Sequence, residues 1–289
     1  MKKIFPFILI LFFSCTNLLI NKTEYHSIEL NGSSWIQVKQ GSNYNENNFT
    51  IQSWFSGSNN TEVTSTQTIF SMLNESGDIL IGIFKDPVYT NKLNIWIDNE
   101  NTTTIEVSDE LSNIDSFNLI SIRSDISDNE DNAGLILIDI FINKTKIFSE
   151  ETSLTTEKLQ NIDFIIGGKV SSNPNITYQG QNRDSFWYGC IDEIRLWNIA
   201  LADSIIQFHN DYPDKLSLEA DNDTYDTYLG QLSGLWRFYV VDDEVYSTVP
   251  NDACTSIERL YNDNPCSTDS EAIIWTRLDD TVEFSEKHK

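Results

Sequence analysis

Carboxylates are the first place to look for chemistry in this chain: Asp and Glu number 44 against 19 Lys and Arg, a formal charge of −25 over 289 residues. Two carboxylates at alternate positions of one strand share a cleft and can hydrolyse a glycosidic bond, one as nucleophile or base and the other as acid. The nearest approach is Leu137, Ile138, Asp139, Ile140 and Phe141, which offers one aspartate among aliphatics. Asp192 and Glu193 are adjacent and so point apart on a strand, which does not suit such a pair. A serine or cysteine nucleophile needs a base within reach. The three histidines, His26, His209 and His288, stand at the edges of the strand-rich region or of the chain, away from Cys190. Gly-x-Ser-x-Gly, a phosphate-cradling glycine loop and a zinc-type histidine cluster are all missing from the sequence. Catalytic residues are therefore not expected, and a binding role is, with a glycan-degrading hydrolase of unrecognised site and a purely architectural or adhesion domain as the alternatives.

Two kinds of binding group stand out. Hard cations want several oxygens, and Asp78, Asp98 and Asp192 lie at strand ends or bends, with Asn99, Asp128 and Asp131 in similar places. Calcium is accordingly the cofactor to test, although no compact calcium loop is present. Sugar rings are gripped by stacking on aromatic faces, and Trp35, Trp54, Trp96, Trp187 and Trp197 all fall in strand-like runs. Most belong to a core. Trp187 and Tyr188 make the better ligand contact, because adjacent strand residues face opposite ways and a polar stretch, residues 169–185, precedes them. The net charge repels nucleic acid and anionic lipid, so the expected partner is a glycan or an extracellular protein.

The N-terminus follows the plan of an exported precursor: Lys2 and Lys3, an apolar run over residues 4–13, then Ser14 and Cys15. A cysteine after a small residue at the end of such a run resembles the bacterial lipobox, whose cysteine is acylated. Residues 1–15 are thus expected to be a signal peptide, with Cys15 as the lipid attachment site and membrane contact through that anchor only. Phe12 and Phe13 depart from the residues the pattern prefers. Export permits disulfides, and Cys254 and Cys266, which bracket a short polar loop, are the expected pair, leaving Cys190 as a half-buried strand residue.

The elements that would carry these groups are strands. Phe49, Ile51, Ser53 and Phe55 alternate on one face, Asn31-Gly32 and residues 74–77 are turn chemistry, and Asn143-Lys144 turns residues 135–142 back into residues 146–148. The run over residues 186–201 reads as a strand with a break, where Gly189 gives the backbone room and Asp192-Glu193 shifts the register as a bulge does. Residues 201–209 read as a short helix with Asp203 placed to cap it. The spacing predicts an all-β, two-sheet antiparallel sandwich over residues 25–210.

The sequence Ile191-Asp192-Glu193-Ile194-Arg195-Leu196-Trp197-Asn198, after an aromatic and Gly189, closely resembles the closing strand of laminin-G-like, concanavalin-A-like jelly-roll domains. Phe49, Thr50, Ile51 and Trp54 occupy the places of a second family strand, and residues 163–168 those of a third. The family's Trp-His pair is absent from residues 117–122. The resemblance implies the jelly roll and leaves the ligand open.

Residues 211–228 are acidic and poor in aliphatics, as a linker is. Apolar character returns in the extension, residues 229–289, where Gly234-Leu235-Trp236-Arg237-Phe238 resembles a family strand that ordinarily precedes the domain. Either a second domain begins there or the segment returns to fill the missing place. Too few apolar residues follow for a second sandwich, so the extension is expected to pack back on the jelly roll.

Overall fold

Alternation of apolar and polar side chains sets each strand's inward face, and short Asn, Asp and Gly turns fold successive strands antiparallel. The computed structural model describes residues 27–31, 36–39, 48–57, 66–74, 76–85, 92–98, 101–107, 117–126, 135–168, 187–213, 216, 231–236, 238–241, 244–247, 274–276 and 283–285. Cys15, Cys254, Cys266 and the stretch 169–185 lie outside them.

The strands are β1 (Ser27–Asn31), β2 (Ile36–Lys39), β3 (Phe49–Gly57), β4 (Gln67–Leu73), β5 (Ile79–Lys85), β6 (Lys92–Ile97), β7 (Asn101–Glu106), β8 (Asn118–Ile126), β9 (Ile136–Ile142), β10 (Thr145–Thr152), β11 (Asp163–Ile166) and β12 (Tyr188–Trp197). Helix α1 (Asp203–Asp211) follows, then β13 (Leu232–Trp236), β14 (Phe238–Val241), β15 (Glu244–Ser247), β16 (Ile274–Thr276) and β17 (Glu283–Ser285). The first sheet runs β10-β9-β8-β3-β12-β1-β17, with β13 also on β12; the second runs β16-β2-β11-β4-β5-β6-β7; β14 and β15 form a hairpin. Among the described residues the strand pairings within the two large sheets are antiparallel, which gives the jelly-roll sandwich.

The main core lies between the sheets. Phe49, Ile51 and Phe55 of β3 meet Ile191, Ile194 and Leu196 of β12 and Phe164 of β11, with Phe49 and Phe164 edge to face at 5.7 Å. In the closing strand the register shifts between Asp192 and Ile194 against β3, and Glu193 takes a φ of 37°. That bulge keeps Ile191 and Ile194 both inward, three residues apart. It also divides the strand's other edge, where β1 pairs with residues 188–191 and β13 with residues 194–197. Residues 232–236 therefore lie against the closing strand of the sandwich.

A second, smaller core covers the outside of the first sheet: Phe141, Trp197, Leu201, Ile206, Leu216, Leu232 and Leu235. Buried polar groups tie α1 to this face. Thr50 donates its hydroxyl to the Ile199 carbonyl and accepts the Leu201 N–H. Arg123 donates to Asp139, to the Leu201 carbonyl and to Asp203 at 2.8 Å. Asp203 does not cap the helix: the N-cap is Ala202, without a side-chain hydrogen bond, and Asp203 is the first helical residue. There it suits the helix dipole while its carboxylate meets Arg123 and Lys146.

Asp139, only 1% exposed, has its charge opposed by burial, but hydrogen bonds from Ser149 and Arg123 and the charges of Arg123 and Lys146 outweigh that and hold its carboxyl below the ordinary value of 3.8. A depressed carboxyl stabilises fully above its unfolded value, and the contribution is lost as pH falls through the folded value. Asp139→Asn should lower stability by about 3 kcal/mol at pH 7, since Arg123 loses its buried counter-ion. The gap from wild type should close as pH falls below 3.8. Urea unfolding of both proteins from pH 7 to pH 2 measures this; a gap constant with pH contradicts the assignment.

Deleting residues 217–289 should expose one edge of β12 and the side chains of the small core, Trp197, Leu201 and Leu216 among them, that Leu232 and Leu235 pack against. At ~1.5–3 kcal/mol per large apolar side chain the loss is several kcal/mol, read as a lower melting temperature. An unchanged melting temperature would show that the extension contributes nothing to the sandwich.

Candidate functional site

A sugar-binding surface needs an aromatic face that solvent can reach, and among the described residues the sandwich buries three indoles. Trp54 is 3% exposed, Trp187 0% and Trp197 0%. Trp187 is part of the core: its N–H donates to the Ser56 carbonyl at 3.2 Å, its ring meets Phe55 edge to face at 5.8 Å, and the Lys85 ammonium lies 5.6 Å from its centre. It presents no face to a ligand, which corrects its expected role as a ligand contact. Burial lowers the pKa of Lys85 from its ordinary value. Tyr188 is half-buried and opens β12 opposite Asn31.

The expected cation ligands are not gathered. Asp78 closes a turn, its N–H donating to Asn74 Oδ1 and its Oδ2 accepting from Asn74 Nδ2. Asp98, with a φ of 54°, accepts from Ser153 and Lys158. Asp192 is buried at the bulge in the other sheet. Among the described residues no three His, Cys, Asp or Glu side chains form a group able to hold a metal.

The other carboxylates weighed for catalysis serve as buried ion-pair partners. Asp139 is bonded to Arg123, and Glu193 to Arg195, whose guanidinium also donates to the Pro213 carbonyl and lies 4.5 Å from the centre of the Trp54 ring.

A half-exposed indole survives on the second sheet. Trp96 faces outward from β6, directly opposite Gly82 of β5, and the next outward row is Phe84, Asn94 and Thr104. Gly82 is what makes this arrangement: a Cβ there would stand 2.5 Å from the Phe84 ring, so glycine lets that ring fold back over the strand. Phe84 then packs at 5.0 Å from Trp96, tilted by 54°, and braces the indole. Thr104 donates to Asn94 Oδ1 at 2.8 Å, which orients the amide nitrogen as a donor beside the rings. The Lys92–Glu106 pair at 3.7 Å bounds the far end. An apolar face flanked by neutral amide and hydroxyl groups can stack on the C–H face of a sugar and bond its hydroxyls. Trp96 was one of five tryptophans in strand-like runs; the outward phase of β6, with Asn94 and Trp96 alternating with Leu93, Ile95 and Ile97, was the signal that could have singled it out.

Several solved structures are similar to this chain at low identity. A pentraxin of Limulus polyphemus, heptameric and serum-amyloid-P-like, is similar at 12% identity and a TM-score of 0.47, over 81% of this chain and 98% of its own. Domains LG4-5 of the mouse laminin alpha1 chain are similar at 13% identity and a TM-score of 0.42, over 75% of this chain and 48% of theirs. The CBM40 domain of a Ruminococcus gnavus IT-sialidase is similar at 10% identity and a TM-score of 0.41, over 64% of this chain and 96% of its own. No curated protein matches the sequence. A family model does match residues 30–207, more than half of the chain, and by that match the chain belongs to the concanavalin A-like lectin/glucanases superfamily.

Proposed function

We propose that this chain is an exported, lipid-anchored surface protein whose jelly roll binds a glycan without catalysis, by stacking a sugar ring on Trp96. The observation that carries the reading is the half-exposed indole braced by Phe84 beside the Asn94–Thr104 pair. The membership of a lectin and glucanase superfamily supports a carbohydrate as the ligand class. The non-catalytic part rests on the strand carboxylates, since Asp139 and Glu193 are buried against Arg123 and Arg195 rather than facing a cleft. Export and anchoring rest on the sequence alone, through the apolar run that ends at Cys15.

A glycan array with the soluble Cys15→Ala form, run with and without a chelator, should find a ligand and also tests the calcium expectation. Trp96→Ala should weaken the best ligand by about ten- to a hundredfold, the loss of ~1.5–3 kcal/mol of buried aromatic surface, with the melting temperature nearly kept. Equal affinity of the variant would remove Trp96 from the site, and an array with no binder would sink the glycan reading. Release of reducing ends from a polysaccharide panel would turn the protein into a hydrolase. The anchor is checked by mass spectrometry of the mature N-terminus, where an unmodified end beyond residue 15 refutes it.

A further inference from the structure

The second core encloses a histidine whose surroundings fix its protons. His209, on the last turn of α1, is 0% exposed, and its ring is stacked on Trp197 at 5.3 Å with 19° between planes. Its Nδ1 lies 2.9 Å from Gln52 Oε1 and its Nε2 lies 3.1 Å from the Leu216 carbonyl oxygen.

The orientation of Gln52 is not free. Trp197 Nε1–H, which can only donate, reaches Gln52 Oε1 at 3.0 Å, while Gln52 Nε2 donates to Ser121 Oγ at 3.0 Å. Reversing the amide would set the indole N–H against an NH2 group. The atom facing Nδ1 is thus an oxygen acceptor, and the atom facing Nε2, a backbone carbonyl, is another. A neutral imidazole brings one proton and leaves a lone pair against an oxygen on its other side. Only the imidazolium donates to both, and the indole face beneath it favours a cation. Burial works against the charge, but two charge-assisted hydrogen bonds and the ring contact work for it.

We infer that His209 is doubly protonated in the folded protein and that its charge latches the segment after α1 to the outer face of the first sheet. Leu216 is the latched point, and it belongs to the same small core as Leu232 and Leu235 of β13. The latch makes the seating of the C-terminal portion depend on pH.

Among the described residues, the charged groups on the packed elements include Arg123 of β8 with Asp139 of β9 and Asp203 of α1, Arg195 with Glu193 of β12, and Asp211 of α1 with Lys144 of the β9–β10 turn. Histidine ordinarily titrates in the neutral range. A proton held by the fold stabilises fully below the ordinary histidine range, and the contribution is lost as pH rises.

The test is nuclear magnetic resonance of the histidine rings in the full chain, with His26→Gln and His288→Gln used for assignment. The expected result is protons on both ring nitrogens of His209 at pH 6, with the Trp197 indole N–H and the Leu216 carbonyl carbon shifting together as the ring deprotonates on raising the pH. The melting temperature of wild type should fall over that same interval, whereas that of His209→Gln should not. A His209 ring with one unprotonated nitrogen at every pH from 5 to 8 overturns the inference, as does an identical pH profile for His209→Gln. Should that variant not fold, the wild-type ring spectrum decides the matter by itself.

Discussion

The bulge at Asp192 and Glu193 is the constraint on which the sandwich depends. An unbulged strand would turn Ile194 and Leu196 outward, because side chains alternate strictly. One extra residue, with Glu193 at a φ of 37°, restores them to the core and bends the strand. The bend separates the places of β1 and β13 along one edge, so that two chain segments distant in sequence share a single partner. Glu193 and Arg195, on either side of Ile194, neutralise each other in the interior, and Arg195 carries the link onward to Pro213 and Trp54.

From that strand the outer face of the first sheet acquires its character. It is not solvated in the ordinary alternating way, because α1 and the residues after it lie over it. The side chains beneath are polar yet buried: Thr50, Gln52, Ser121 and Asp139 are each at most 1% exposed. Each polar group put there needs a partner, since an unmade buried hydrogen bond is expensive. Thr50 and Gln52 find partners on the covering segment, in the Ile199 carbonyl, the Leu201 N–H and the His209 ring, while Ser121 accepts from Gln52 and Asp139 from Arg123 within the sheet, and Arg123 and Arg195 reach out to the Leu201 and Pro213 carbonyls. Directional bonds of this kind fix where the helix sits more tightly than apolar contact does, and they place its last turn over Trp197. The second sheet is the opposite case. Its outward row near β6 carries an aromatic pair and neutral polar side chains with no helix over them among the described residues.

The sequence by itself determined the sandwich. Alternation in residues 49–55, turn residues such as Asn143, and the closing-strand motif with its shifted register are local signals, and each corresponds to an element of the structure. Tertiary structure decided exposure. Trp187 and Trp96 look alike in their local windows, one beside an aromatic and the other between two isoleucines, yet the first is enclosed by Phe55, Ser56 and Lys85 and the second is open on one face. That difference arises from which sheet face each strand turns to, and from what covers the face, and both are contacts between residues far apart in the chain. The same holds for Asp203, which local rules made a helix cap and Arg123, 80 residues away, made a salt-bridge partner. The protonation of His209 is the furthest from local reading, since Gln52, Trp197 and Leu216 come from three separate segments and become its environment only when the sheet and helix meet.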